Sequence, residues 1–111
     1  MKRGAVDFLT KPVDGEVLLR AVRLALEKER ARRGERAEVA AIRSRLATLT
    51  PREREVLEGV IAGQLNKQIA GDLGAAEKTI KVHRARVMEK MEAGSVAELV
   101  RLADKAGVRK P

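Results

Sequence analysis

From Val56 onward, apolar residues recur in short helical runs punctuated by glycines. Val56, Leu57, Val60 and Ile61 repeat at i, i+1, i+4 and i+5, which predicts a helix burying one face. Gly63 is its natural stop. Ile69, Ala70 and Leu73 form the apolar face of a second helix, with Asn66 as its cap and Gly74 at its end. Gly71 inside that helix costs about 1 kcal/mol relative to Ala. The pattern leaves open whether Gly71 is a tolerated surface position or marks close helix packing. A third helix, about Glu77 to Met91, has Ile80, Val87 and Met91 as its inward stripe, with Ala76 before them. A fourth, Val96–Ala106, is largely apolar.

Upstream, Val17, Leu18, Ala21, Val22, Ala25 and Leu26 give one helical stripe, and Val39, Ile42, Leu46 and Leu49 give another. The stretch between them, Glu27–Glu38 (EKERARRGERAE), has no large apolar residue. Glu and Arg support helix there through i,i+4 pairs, whereas Gly34 weakens it. The segment 14–47 therefore reads as one long helix whose weakest point is Gly34. Its first apolar stripe predicts self-association, as antiparallel or coiled-coil pairs of Val17–Leu26; a fraying polar linker is the other outcome. The fold class is all-α: four short helices after a long helical extension.

Two local signatures fix helix starts. Thr50-Pro51-Arg52-Glu53 is a capping box, in which the Thr50 hydroxyl accepts from the Glu53 N–H and the Glu53 carboxylate accepts from the Thr50 N–H. Pro51 falls where a missing donor costs nothing. Ser95-Val96-Ala97-Glu98 repeats the device.

The third helix is the chemically informative one. Lys78, Lys81, Val82 and Ala85 lie opposite its apolar stripe, with Arg84 and Arg86 on the flanks. Over Glu77–Met91, five Lys/Arg stand against two Glu, and this surplus sits on one helix. A solvated charged face is the plain alternative. The preceding helix, the Gly74 turn and the small mid-face residues point instead to a helix-turn-helix reader of duplex DNA. Small side chains let the backbone approach base edges, and Val82 suits a thymine methyl. The helix start also presents free N–H groups to phosphate. His83 has two compatible uses, donating to a phosphate or packing against the first of the four helices.

Charge distribution sharpens this. The chain carries a net charge of +8. Met1–Ala47 has twelve Lys/Arg against seven Asp/Glu, whereas Thr48–Val108 has ten against nine. The four-helix region is thus nearly neutral, with its positive charge on one helix, which favours an oriented patch over indiscriminate polycation binding. Phe8 is the only aromatic residue, and single-stranded nucleic acid binding relies on aromatic stacking. Without Cys there are no disulfides or thiolate metal sites, in keeping with a cytoplasmic location. No apolar run suffices for a membrane span, and no signal-type apolar core follows the basic start.

Enzyme chemistry finds no footing. His83 is the sole His, so no His pair can hold a metal. Ser44 and Ser95 are the only Ser residues, one in a charged helix and the other a cap. The carboxylates alternate with Lys and Arg in the manner of solvated faces. The expectation is no catalysis, metal, cofactor or small-molecule substrate.

LTPREREVLEGVIAG, LNKQIA, EKTIKVHR and SVAELV together resemble the DNA-binding domain of the LuxR/FixJ family of bacterial response regulators, over Leu49–Val108. The resemblance implies a four-helix bundle, residues 48–111, with Lys67–Leu73 crossing the DNA backbone and Glu77–Met91 in the major groove. It implies that Lys81, Val82 and Ala85 face base edges. It also implies that Lys67, Lys78, Thr79, His83, Arg84 and Arg86 lie near phosphates. The last helix, through Val96, Leu99, Val100 and Ala103, would form a homodimer contact on an inverted-repeat operator, and RNA polymerase is a further partner such a regulator would meet. Two positions depart from the family pattern. Ala76 stands where a Ser or Thr cap is common, and Ala85 is shorter than the polar residue many relatives carry.

Arg3–Pro12 (RGAVDFLTKP) resembles the closing strand and Lys-Pro pair of a response-regulator receiver, here Lys11 and Pro12, with a strand over Ala5–Thr10. Residues 1–13 read as this remnant, and 14–47 as the last receiver helix plus a linker helix. Asp7 and Asp14 are not at an acceptor's position, so no phosphoacceptor is expected in this sequence. Two rival readings remain at this level. One is a sigma-factor DNA-binding region, which shares a similar LTPREREVL opening. The other is a dimerising adaptor without DNA affinity.

Overall fold

The computed structural model describes the backbone of residues 12–108 and the side chains of residues 15–108. The receiver-like strand Ala5–Thr10, Asp7, Lys11 and the side chains of Pro12 and Asp14 lie outside the described residues. Five helices follow in order: α1 (Pro12–Ala47), α2 (Pro51–Ile61), α3 (Asn66–Leu73), α4 (Glu77–Lys90) and α5 (Val96–Lys105). The fold is all-α, as the periodicity predicts.

Helix α1 is continuous through Gly34. Nothing crowds that glycine, and the exposed pair Arg33–Glu29 at 3.3 Å is one of the i,i+4 supports predicted for this stretch. The described residues divide into two compact units, one up to Ala37 and one from Glu38 onward. The second begins at Glu38 rather than Thr48, because Ile42 and Leu46 at the end of α1 are buried in its core. In the first unit Val17, Leu18, Leu19, Val22, Leu24 and Leu26 are all exposed.

The core of the second unit joins Val56, Leu57, Val60 and Ile61 of α2 to Ile69 and Ala70 of α3, Ile80 and Val87 of α4, and Leu99, Leu102 and Ala103 of α5. Met91 completes the stripe predicted for α4, but Ala76 does not. Ala76 is the exposed N-cap of α4, in extended conformation, and turns no side chain inward. Gly59 sits where α2 and α3 press together, and a Cβ there would lie 2.7 Å from Cγ1 of Ile69. Gly71 meets nothing within 4 Å and is a tolerated surface position.

The first capping box forms in full. Thr50 Oγ1 accepts from the Glu53 N–H at 3.2 Å, and the Thr50 N–H donates to Glu53 Oε1 at 2.9 Å. The second is half-formed. Ser95 Oγ accepts from the Glu98 N–H at 3.1 Å, while the Glu98 carboxylate accepts from the Gly94 N–H at 3.4 Å instead of from Ser95. Asn66 is not the cap of α3. Leu65 occupies that position, its N–H donating to Gln68 Oε1 at 2.8 Å, and Asn66 is the first helical residue. Gly74 closes α3 with φ of 64°, a left-handed conformation that glycine adopts at no steric cost.

Candidate nucleic-acid interface

Helices α3 and α4 are consecutive and joined by a turn of Gly74, Ala75 and Ala76. Helix α4 follows with Ile80 and Val87 buried on its inner face. That burial dictates what points outward. Lys78, Thr79, Lys81, Val82, Ala85 and Arg86 are exposed, and Val82 keeps 48% of its surface accessible. Lys81, Val82 and Ala85 therefore share the outer face with Lys78, as expected from their helical spacing. On α3, Lys67 is exposed in the first turn. The starts of both helices leave backbone N–H groups without an intrahelical acceptor, and neither N-cap offers a side-chain oxygen.

The pairing of cations separates this face from the rest of the unit. Arg45 lies 3.1 Å from Glu92, Lys90 lies 2.7 Å from Glu53, and Glu38 receives Lys105 at 3.0 Å and Arg101 at 3.4 Å. Arg52 and Arg54 have longer contacts to Glu55 and Glu58, both 3.8 Å. Among the described residues from Glu38 on, the cations without a carboxylate partner are Arg43, Lys67, Lys78, Lys81, Arg84 and Arg86. All but Arg43 belong to α3 or α4. Lys78, Lys81 and Arg86 thus present full charges on the outer face of α4.

Two residues expected near phosphate are half-buried in the folded chain. Arg84 follows Ile80 by one turn and precedes Val87 by another, so it lies on the inner face rather than a flank. It is half-buried, and its Nη1 donates to Asn66 Oδ1 at 3.0 Å. His83 is half-buried too, with Nδ1 shielded from solvent and without a hydrogen-bond partner.

The dimer surface expected on α5 needs correction. Leu99 and Ala103 have no exposed surface, because they fill the chain's own core against α2. They are unavailable to a second copy. Val96, 38% exposed, and half-buried Val100 remain on the surface.

One important residue escaped the sequence reading as anything more than a cap. Glu53 is buried with 1% exposure, and its Oε1 takes both the Thr50 N–H and the Lys90 ammonium. The hydrogen bond from Lys90, then the one from the Thr50 backbone, holds its carboxyl below the usual range despite burial. Lys90 also donates to the Thr48 carbonyl at 3.2 Å, so this cluster locks the end of α4 to the start of α2. Its partner is far away in sequence, and no local pattern signals it.

No group of His, Cys, Asp and Glu among the described residues is arranged to hold a metal, and no described helix is long and apolar enough to cross a membrane.

Comparison with known proteins agrees with this geometry. The family of bacterial regulatory proteins termed luxR matches residues 47–103. Nodulation protein W of Bradyrhizobium diazoefficiens is 47% identical over 108 residues, covering 97% of this chain and 48% of its own length. The transcriptional regulatory protein FixJ of Rhizobium meliloti is 48% identical over 103 residues, covering 93% and 50%. Among solved structures, full-length FixJ from B. japonicum superposes with a TM-score of 0.67 at 42% identity, covering 89% of this chain and 49% of that one. The response regulator StyR gives a TM-score of 0.72 at 42% identity, covering 86% and 48%. The chain spans about half the length of the relatives it matches. The family is one of regulatory proteins rather than enzymes, and the matched residues hold the caps, the Gly74 turn and the basic helix described above: the chain belongs to the luxR family of bacterial regulatory proteins.

Proposed function

We propose that this chain binds duplex DNA sequence-specifically, as the reading part of a transcriptional regulator of the response-regulator type. Helix α4 enters the major groove, with Lys81, Val82 and Ala85 toward base edges. Lys67, Lys78, Thr79 and Arg86 lie toward phosphates, and His83 offers a further donor there. The observation that carries this reading is the row of uncompensated cations on α3 and α4, in a unit whose other cations are almost all paired. Charges left without carboxylate partners remain available to a polyanion, and releasing its counterions drives binding. The small side chains of Val82 and Ala85, set among those cations, allow close approach to base edges.

Two copies bind an inverted repeat, each with α4 in one major groove and the half-sites about one helical turn apart. Val96 and Val100 of α5 supply the surface between copies. RNA polymerase is the partner through which such a regulator acts, and the cytoplasm is where it meets both.

Selection of bound duplexes from a random pool tests the reading. Recovery of a palindromic site whose affinity falls steeply with salt supports it. A chain that retains no duplex, or retains all duplexes equally, refutes it.

A further inference from the structure

Arg84 occupies an unusual place for a cation. It sits on the inner face of α4, in line with Ile80 and Val87, and its head reaches across to the first turn of α3. The aliphatic stem covers apolar surface while the guanidinium finds a polar partner. That partner, Asn66, is neutral, so the hydrogen bond holds Arg84 without cancelling its charge. The first turn of α3 contains no acidic residue, and its cap, Leu65, has no side-chain oxygen. A cation beside the positive end of a helix is not favoured by the helix dipole.

Helix α3 has few other anchors. It runs for 8 residues and fully buries only Ile69 and Ala70. Polar ties hold its far end, where Arg52 Nη1 donates to the Leu73 carbonyl at 3.3 Å and Gln64 Nε2 donates to Asp72 Oδ2 at 2.9 Å. At its near end the tie from outside the helix and its cap is Arg84 to Asn66. Lys67 is the next residue after Asn66 and faces solvent. This one hydrogen bond joins the first turn of α3, where Lys67 stands, to α4.

We propose that Arg84 is a positioning residue: by its hydrogen bond to Asn66 it fixes the angle between α3 and α4, so that Lys67 and the outer face of α4 address one duplex together. The proposal rests on the DNA-binding reading above. Its planar fork, rather than its charge alone, is what the position requires, so Lys is not an equivalent replacement.

The test measures affinity for one selected duplex across a range of salt concentrations, with helicity and thermal unfolding followed in parallel. The proteins are the full chain and its Asn66→Ala, Arg84→Lys, double and Lys67→Ala variants. Losing the tie weakens binding about tenfold in either single variant, the size expected for a hydrogen bond to a charged group. The double variant binds no worse than either single one, since both remove the same contact. The salt slope falls in Asn66→Ala and Arg84→Lys toward that of Lys67→Ala, because a displaced Lys67 no longer neutralises its phosphate. In Lys67→Ala it falls by about 0.9.

A second variant guards against misfolding. Asn66→Asp keeps an acceptor for Arg84 at the start of α3, so the tie holds and thermal stability rises. Parental affinity in a folded Asn66→Ala, or losses that add in the double variant, overturns the proposal while leaving DNA binding intact. If Asn66→Ala does not fold, parental affinity in a folded Arg84→Lys overturns it instead. A parent chain with no salt-dependent duplex binding removes the DNA-binding reading itself, and this inference with it.

Discussion

At the end of α4, Lys90 points inward to the buried carboxylate of Glu53 and the Thr48 carbonyl, and it is one third exposed. Over the first turns of the same helix, Lys78, Lys81 and Arg86 point outward with no carboxylate partner. The residue types are nearly the same, but their roles are opposite. The inner cation holds two helices together, and the outer cations hold nothing of the fold. Substitutions at the two places should therefore separate cleanly, the inner ones changing stability and the outer ones changing affinity.

The largest effect is expected at Lys90. Lys90→Met leaves the Glu53 carboxylate buried without its ammonium. Breaking a fully buried pair costs about 3–5 kcal/mol, and the partial exposure of Lys90 reduces this to about 2 kcal/mol. Urea unfolding checks it; a midpoint equal to the parent's would show that the pair contributes nothing.

Acid unfolding examines the same cluster. The Glu53 carboxyl titrates below its ordinary value of 4.5 in the folded chain, so its contribution is fully present above 4.5. It is lost as pH falls from 4.5 through the folded value. Lys90→Met should flatten that acid limb of the stability profile.

Next comes Lys81→Ala on the outer face. About 1–3 kcal/mol of affinity should be lost for the selected duplex, with discrimination relaxed at one base position. Stability should change by less than about 0.5 kcal/mol, as for other surface substitutions. A comparable loss in stability would erase the distinction between the two faces.

Two glycines give a contrast of similar kind within the scaffold. Gly59→Ala forces a Cβ to 2.7 Å from Ile69 and should destabilise by about 1–3 kcal/mol. Gly71→Ala meets open space in a helix and should stabilise by about 0.5–1 kcal/mol. Thermal unfolding of the pair reads both signs. The smallest effect belongs to Ala76→Ser, which supplies the missing cap of α4 and adds at most about 1 kcal/mol.

How much of this is legible in the sequence follows the range of each interaction. The Thr50–Glu53 box is local, and its reading carries over to the structure in full. The core positions of α2 and the stripe Ile80–Val87–Met91 follow from periodicity alone. The Lys90–Glu53 pair joins two helices at positions 37 residues apart, and only the fold brings it together. Arg84 is instructive because the sequence reading sets it on a flank, whereas in the fold it is half-buried between Ile80 and Val87. Its charge argues for the surface, and the neutral partner that resolves the conflict sits on another helix.

The apolar stripe of α5 is likewise visible in the sequence, but which body covers it is not. Leu99 and Ala103 serve the chain's own core, leaving Val96 and Val100 for any second copy. The exposed stripe of α1 shows the same ambiguity from the other side, since Val17 to Leu26 are apolar and exposed. Sequence spacing predicts that a stripe exists, whereas its partner is a property of the assembly.

The central claim is that the outer cations of α4 serve duplex DNA rather than the fold. It is tested most directly by comparing the parent with a Lys78→Ala, Lys81→Ala, Arg86→Ala triple variant, in duplex affinity against salt and in urea unfolding. The account predicts a slope shallower by about 2–3 for each copy bound, with the unfolding midpoint unchanged. An unchanged slope, or an unfolding midpoint that falls together with the affinity, would contradict it.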